Sequence, residues 1–491
     1  MSTPQALATF AQWVKSIRGD EDSEAQTYVN RLMQAWGWAD SVEAGVTFER
    51  KIPGGSLGGG TGSADALIEG RVLIEMKSRG KPLQPAFAQL ERYWQRLAPK
   101  PTYAILCNFD QLWVYDFNVD VFEPLEKLNV ADLAQRHLAL AFLSKDGQTP
   151  QFGVNRIEVT EAQARRMGEL FCLLKARGEQ TGDFDALDAQ RFVLQCVLTI
   201  FAEDRGMLPN GMFNRVLQDC KLKPQESYDL ISGLFEAMNT KGITPGGRFK
   251  GTPYFNGGLF SRIPRIELVK PEVEILAESA LEDWNNVRPS IFGNIFEASS
   301  DPKKRHARGQ HFTSEQDILK VILPTIIEPW QERIENATFI KDLDPILYEL
   351  QQYRVCDPAC GSGNFLYMAY NKLKDIEAML LEKIQARRKA ESLKDQIVLG
   401  YVNTNQFFGI DTDPFAVELA RVTLSIARKV AHDRLGLTEQ ELPLDNLDSN
   451  IIVADALFTP WPKADAYVGN PPFLGGKRVR NELGDAYIDK V

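Results

Sequence analysis

Asn470-Pro471-Pro472-Phe473 stands near the end of the chain, about a hundred residues after Asp357-Pro358-Ala359-Cys360-Gly361-Ser362-Gly363-Asn364-Phe365. Together, in that order, the two segments predict amino methylation of a nucleobase. An exocyclic amine is a poor nucleophile because its lone pair is delocalised into the ring, so acceptors are needed for both of its hydrogens. The Asn470 side-chain oxygen and the Pro471 carbonyl supply them, Pro471 and Pro472 stiffen the loop, and Phe473 stacks on a base flipped out of the duplex. No Pro-Cys nucleophile stands at this position, which argues against methylation at carbon 5 of cytosine.

Three carboxylates are spaced to hold the methyl donor. Asp357 ends a predicted strand where it meets the amino group of an amino-acid-like cofactor, Asp411 ends the next strand and accepts from ribose hydroxyls, and Asp455 ends a third and accepts from an adenine amine. With Ala359, Gly361 and Gly363 in the loop, and Thr313 in a segment over 309–314 that closes on the methionine part, the expected cofactor is S-adenosylmethionine. A rigid turn is the structural reading of Asn470 to Phe473, and a helix cap that of Thr313 and Ser314.

A second group lies at the other end. Asp65 is followed after nine residues by Glu75-Met76-Lys77, the spacing of a metal-dependent nuclease. A hairpin turning at Glu69-Gly70 places Asp65 and Glu75 on neighbouring strands to share a Mg²⁺, while Lys77, on the Glu75 face, orients the attacking water. Glu24 is a candidate for a further carboxylate on the metal side, and Gln89 and Tyr93 lie one helical turn apart just beyond. The structural reading of the same residues is a salt-bridged, exposed hairpin.

The elements that must position these groups follow from periodicity. Residues 1–155 mix helix and strand: an amphipathic stretch over 23–36, a glycine-rich loop over 53–60, strands over 64–69, 71–77, 102–108 and 112–116, and a helix over 85–97. Residues 156–290 read as a helical spacer whose 185–203 segment is apolar nearly all round. From 291 to 491, strands over 353–357, 407–411, 450–455 and 466–469 alternate with helices over 366–388 and 414–435, the pattern of a doubly wound, Rossmann-like parallel sheet that is cut short.

Composition sets the outer bounds. The 491 residues are 44% hydrophobic and 25% charged, carry no long apolar run and begin without a secretory pattern, so the expected place is the cytoplasm and no membrane is involved. Six scattered cysteines without a CxxC pair predict small buried fillers rather than disulfides or zinc ligands. The net charge of −10 tempers a nucleic-acid reading, but basic clusters stand at 303–308, 387–389 and 477–480. The first and third flank the site motifs and read as DNA-facing; the second reads as a solvated face.

These residues resemble the single-chain type IIL (MmeI-like) restriction-modification enzymes, related to type IIG. The resemblance runs through Leu73 to Lys81, Leu198 to Asp204, Pro289 to Gly293, Asp357 to Leu366 and Gly469 to Leu474. It implies a PD-(D/E)xK endonuclease domain over 1–155, a helical spacer over 156–290 and an N6-adenine methyltransferase of the gamma order over 291–491, acting on double-stranded DNA with Mg²⁺ and S-adenosylmethionine. The family's target-recognition part is not in this sequence, so the expectation is that it lies in a further C-terminal region or a separate specificity chain. Competing readings are a methyltransferase with an inert nuclease domain, a non-catalytic binding remnant, and methylation of a protein glutamine, against which Phe473 and the N-terminal motif argue.

Overall fold

The computed structural model describes residues 3–53, 55, 61–153, 156–209, 211–255, 257–287, 313–391, 401–435, 447–471 and 485–490. They form two compact units: Met1–Asn155 with Glu328–Thr338, and Arg156–Ile327 with Phe339–Val491. Among the described residues no helix is long and apolar enough to cross a membrane.

The first unit opens with helices α1 (Thr3–Val14) and α2 (Glu21–Ala35). A six-stranded sheet follows in sequential order: β1 (Val46–Ile52), β2 (Gly62–Ile68), β3 (Val72–Met76), β4 (Tyr103–Cys107), β5 (Gln111–Tyr115) and β6 (Glu126–Asn129). All neighbours are antiparallel except β3 and β4, which helix α3 (Phe87–Arg96) connects as a parallel pair. The predicted hairpin is present, with Ile68 opposite Val72 and Ala66 opposite Ile74. The sequence reading missed α1, β1 and β6.

Strand alternation sorts the core into two layers. Val72, Ile74 and Met76 pack with Leu7, Phe10, Tyr28 and Leu32 of the first two helices, and Leu73 packs with Phe87, Leu90 and Trp94 of α3. Full burial of each aliphatic or aromatic side chain is worth roughly 1.5–3 kcal/mol. Both faces of β3 are therefore covered, and Glu75, on the Leu73 face, is drawn into that interior with an exposure of only 1%.

The second unit begins with helices α4 (Arg156–Thr181), α5 (Ala186–Asp204), α6 (Met212–Leu222), α7 (Ser227–Asn239) and α8 (Lys270–Ser279). As its sequence predicts, α5 is buried on every side, from Phe192 to Phe201. Next come α9 (Glu315–Ile322), α10 (Ile340–Gln352), β7 (Val355–Asp357), α11 (Asn364–Ala390), β8 (Phe407–Asp411), α12 (Pro414–Leu435), β9 (Ile451–Val453) and β10 (Ala466–Tyr467). Leu419, Val422 and Ile426 of α12 belong to the same apolar core as α5, so the preceding helices and this helix of the alternating strand–helix region share one interior.

The four strands are parallel in the order β10-β7-β8-β9. After β7 the chain winds to one side through β8 and β9, then returns to the other side with β10. The reversal lies between β7 and β10, and open parallel sheets bind ligands beyond the strand ends at such a point.

Candidate functional site

In the first unit the sequence motif closes into a cluster. Continuing the hairpin register by one residue sets Asp65 opposite Glu75. Glu21 joins them from the first turn of α2, and one carboxylate oxygen from each of the three lies within 4.8 Å of the others. Lys77 Nζ bridges Glu21 Oε1 at 2.8 Å and Glu75 Oε1 at 3.0 Å. Asp65 Oδ2 accepts the Met76 amide at 2.6 Å. Glu75 Oε2 is buried with no hydrogen-bond partner.

The electrostatics follow from that crowding. Burial, with Asp65 beside it, pushes the Glu75 carboxyl up to about 8. Burial also raises Asp65 to about 6, against the Met76 amide and Lys77. Burial opposes the Lys77 charge, but Glu75 and Glu21 outweigh it and hold the ammonium above its ordinary range. A buried carboxylate with one unpaired oxygen, clustered with two further carboxylates, fits a divalent cation.

Two residues singled out in the sequence fall outside the cluster. The Glu24 carboxylate accepts backbone amides of Gly19 at 2.6 Å and Asp20 at 2.9 Å, so it fixes the entrance to α2 rather than facing the metal side. Gln89 donates to the Tyr93 hydroxyl at 3.1 Å, and Tyr93 is a core residue. Glu21, which sequence reasoning missed, carries one local signal: it opens an acidic first turn, Glu21-Asp22-Ser23-Glu24, behind the Asp20 cap. Nothing local tells which of those carboxylates faces Glu75. The cysteines are buried fillers as expected, except Cys172, which is exposed.

In the second unit Asp357 ends β7, is 1% exposed, and accepts the Ala359 amide at 3.0 Å. Burial pushes its carboxyl up to about 7, the Ala359 amide opposing and Asp411 assisting. Asp411 ends β8 and accepts the amides of Gly361 at 2.9 Å and Asp413 at 2.8 Å; burial raises it as well. Cys360 of the same loop donates its amide to Ile410, which ties the glycine loop to the end of β8.

Beyond β10 the backbone runs close to Asp357. A Cβ built on Gly469 would stand 2.4 Å from Asp357 Oδ1, so only glycine lets the two segments meet. The next residue, Asn470, is exposed and donates from Nδ2 to Thr313 Oγ1 at 3.1 Å, although 157 positions separate the two. Pro471 is exposed; Pro472 and Phe473 lie outside the described residues, as do the basic clusters at 303–308 and 477–480.

Asp455 stands two residues past β9 rather than at its end, where its carboxylate accepts the Leu457 amide at 2.9 Å and the Tyr487 hydroxyl at 2.7 Å. Tyr487 was not foreseen. Its ring meets Phe458 edge-on. The 387–389 cluster occupies the last turn of α11, where cations complement the helix dipole.

A Rossmann-like unit with carboxylates and a glycine loop at its switch point, preceded in the chain by a carboxylate–lysine sheet site, is thus the class that fold and sites define. Three family models match in succession: the MmeI N-terminal domain over residues 3–177, the MmeI helicase spacer domain over 187–260, and the MmeI DNA-methyltransferase domain over 331–487. The chain belongs to the MmeI-like, type IIL family.

Among curated proteins it is 26% identical to DNA methyltransferase A of Bacillus subtilis over 84% of this chain and 48% of that protein. Among solved structures it is similar to the type IIL restriction-modification enzyme MmeI in complex with DNA, with a TM-score of 0.57 and 27% identity over 68% of this chain and 46% of that one. The chain thus spans about half the length of that curated relative.

Proposed function

We propose that the chain acts in DNA restriction-modification, methylating adenine N6 in double-stranded DNA at the switch-point site and cutting DNA at the carboxylate site. The observation that carries this reading is the convergence of Asp357, Gly469 and Asn470 where the β7–β10 order reverses, inside the region that matches a DNA-methyltransferase model. The names of the relatives support the pairing of methylation with restriction.

The residues present fit S-adenosylmethionine, which when bound supplies an electrophilic methyl group. Asp357 is a buried acceptor suited to an ammonium, Asp411 keeps lone pairs for ribose hydroxyls, and the Gly361 to Gly363 loop brings main chain close without side-chain bulk. Asp455 is suited to an adenine amine only in competition with Tyr487. Thr313 accepts from Asn470 Nδ2, which leaves Oδ1 and the Pro471 carbonyl to accept hydrogens from the target amine. Phe473 is assigned the stacking role.

We read the first unit as a PD-(D/E)xK nuclease-like domain, a reading supported by the cluster of Glu21, Asp65, Glu75 and Lys77. Asp65, Glu75 and Glu21 would hold Mg²⁺, and Lys77 would orient a water for attack on a phosphodiester.

The test incubates the chain with radiolabelled S-adenosylmethionine and plasmid DNA, then identifies the labelled nucleoside, with Mg²⁺-dependent cleavage followed in parallel. Label on N6-methyladenine that vanishes in Asn470→Ala, with cutting that vanishes in Asp65→Ala, supports the proposal. Label on a cytosine product, or none from the folded chain, counts against the methylation assignment.

A further inference from the structure

The corner between α1 and α2 decides where Glu21 stands, and one strand extension grips that corner at three successive residues. Lys77 holds the Glu21 carboxylate at 2.8 Å. Ser78 Oγ accepts the Glu21 amide at 3.2 Å. Arg79 reaches past them: Nη1 donates to the Ile17 carbonyl at 2.6 Å, Nη2 to the Val14 carbonyl at 2.8 Å, and Nε to Asp110 Oδ1 at 3.0 Å. Its own amide donates to the Gly19 carbonyl at 2.7 Å.

Val14 is the last residue of α1; its carbonyl accepts the Ile17 amide at a long 3.4 Å, and the guanidinium adds a shorter bond there and a second at the Ile17 carbonyl, capping the helix end. The approach is close: a Cβ on Gly19 would lie 2.7 Å from Arg79 Cβ, and Gly19 has a left-handed φ of 75°. From the other side Glu24 gathers the amides of Gly19 and Asp20, and Asp20 caps α2 through the Ser23 amide at 3.0 Å. The corner is held by both, and Glu21 is the next residue.

We propose that Arg79 is a positioning residue of the metal site: by locking the α1–α2 corner to the end of β3 it delivers Glu21 to Asp65 and Glu75, and so sets the affinity for a divalent cation. This rests on the metal-site reading above, which stands on the clustering of the three carboxylates and on the buried, unpartnered Glu75 Oε2. Lysine cannot substitute for the arginine here, because a single ammonium does not span two carbonyls and a carboxylate at fixed angles.

The test is Mn²⁺ binding to the whole chain, followed by the loss of the free-ion electron paramagnetic resonance signal. Glu75→Gln defines which binding belongs to the site. Arg79→Lys and Glu21→Gln should each weaken that binding by about tenfold, the range for removing a group that supports a ligand, and the double variant should bind no worse than Glu21→Gln. A purely structural arginine would lower thermal stability without this coupling. Normal affinity in Arg79→Lys, or losses that multiply in the double variant, overturns the proposal. Mn²⁺ binding that Glu75→Gln does not touch overturns the metal-site reading itself. If Arg79→Lys does not fold, Ser78→Ala removes a neighbouring grip and is held to the same coupling with Glu21→Gln.

Discussion

Both candidate sites draw carboxylates out of water on or beside strands, yet they neutralise them differently. In the first unit Glu21, Asp65 and Glu75 converge within 4.8 Å around one ammonium, Lys77, which pairs with Glu21 and Glu75. Fully ionised, three negative charges against one positive leave two in excess, which a single divalent ion offsets. In the second unit Asp357 and Asp411 stand on separate strands, Asp357 met by the Ala359 amide and Asp411 by the amides of Gly361 and Asp413. The first arrangement suits an ion at a point; the second suits an extended ligand that is read by hydrogen bonds along its length. The residue types are the same, and the counterpart decides the ligand.

The largest effects should separate the two sites. Asn470→Ala should lower methyl transfer by about a hundredfold or more while leaving cleavage intact, and Asp65→Ala should do the reverse. Parallel assays of both variants check this, and one variant that abolished both reactions would break the comparison.

Acidity should distinguish them next. With folded values of about 8 for Glu75 and about 6 for Asp65, these carboxyls bind more protons folded than unfolded when no metal is added. The contribution to stability is therefore present below the ordinary carboxylate range and is lost as pH rises towards about 8. Melting curves of the metal-free chain should fall across that window, and Mg²⁺ should offset the fall. Metal binding must displace the same protons, so Mn²⁺ affinity should rise by about tenfold per pH unit for each proton released.

A third test concerns fit at the switch point. Gly469→Ala places a methyl against the Asp357 carboxylate and should cost about 1–3 kcal/mol, seen as lower stability with weaker cofactor binding. The smallest effect sharpens the boundary of the first site: Gln89→Ala loses only the bond to Tyr93 and should cost under about 1 kcal/mol, with Mn²⁺ affinity unchanged. A drop in that affinity would extend the metal site to Gln89.

Much of this was legible in the chain because it is local. Alternation marked β2 and β3, and their short hairpin leaves one register that buries an apolar face, so Asp65, Glu75 and Lys77 had to meet. The glycine loop between a strand and a helix located Asp357 and Gly361, and the helical periods of α5 and α12 were correctly read. Strand β1 escaped because three consecutive charged residues, Glu49-Arg50-Lys51, are all exposed and interrupt its alternation before Ile52, and β10 proved only two residues long.

Local sequence accounts for the elements and the groups each one carries, because hydrophobic period and turn chemistry act over a few residues. Tertiary structure alone decided which distant groups meet: Glu21 rather than Glu24 beside Glu75, Thr313 against Asn470, Tyr487 on Asp455, and Gly469 under Asp357. Those meetings depend on how helices pack on a sheet and on where a parallel sheet reverses its winding, and neither leaves a mark at any single position.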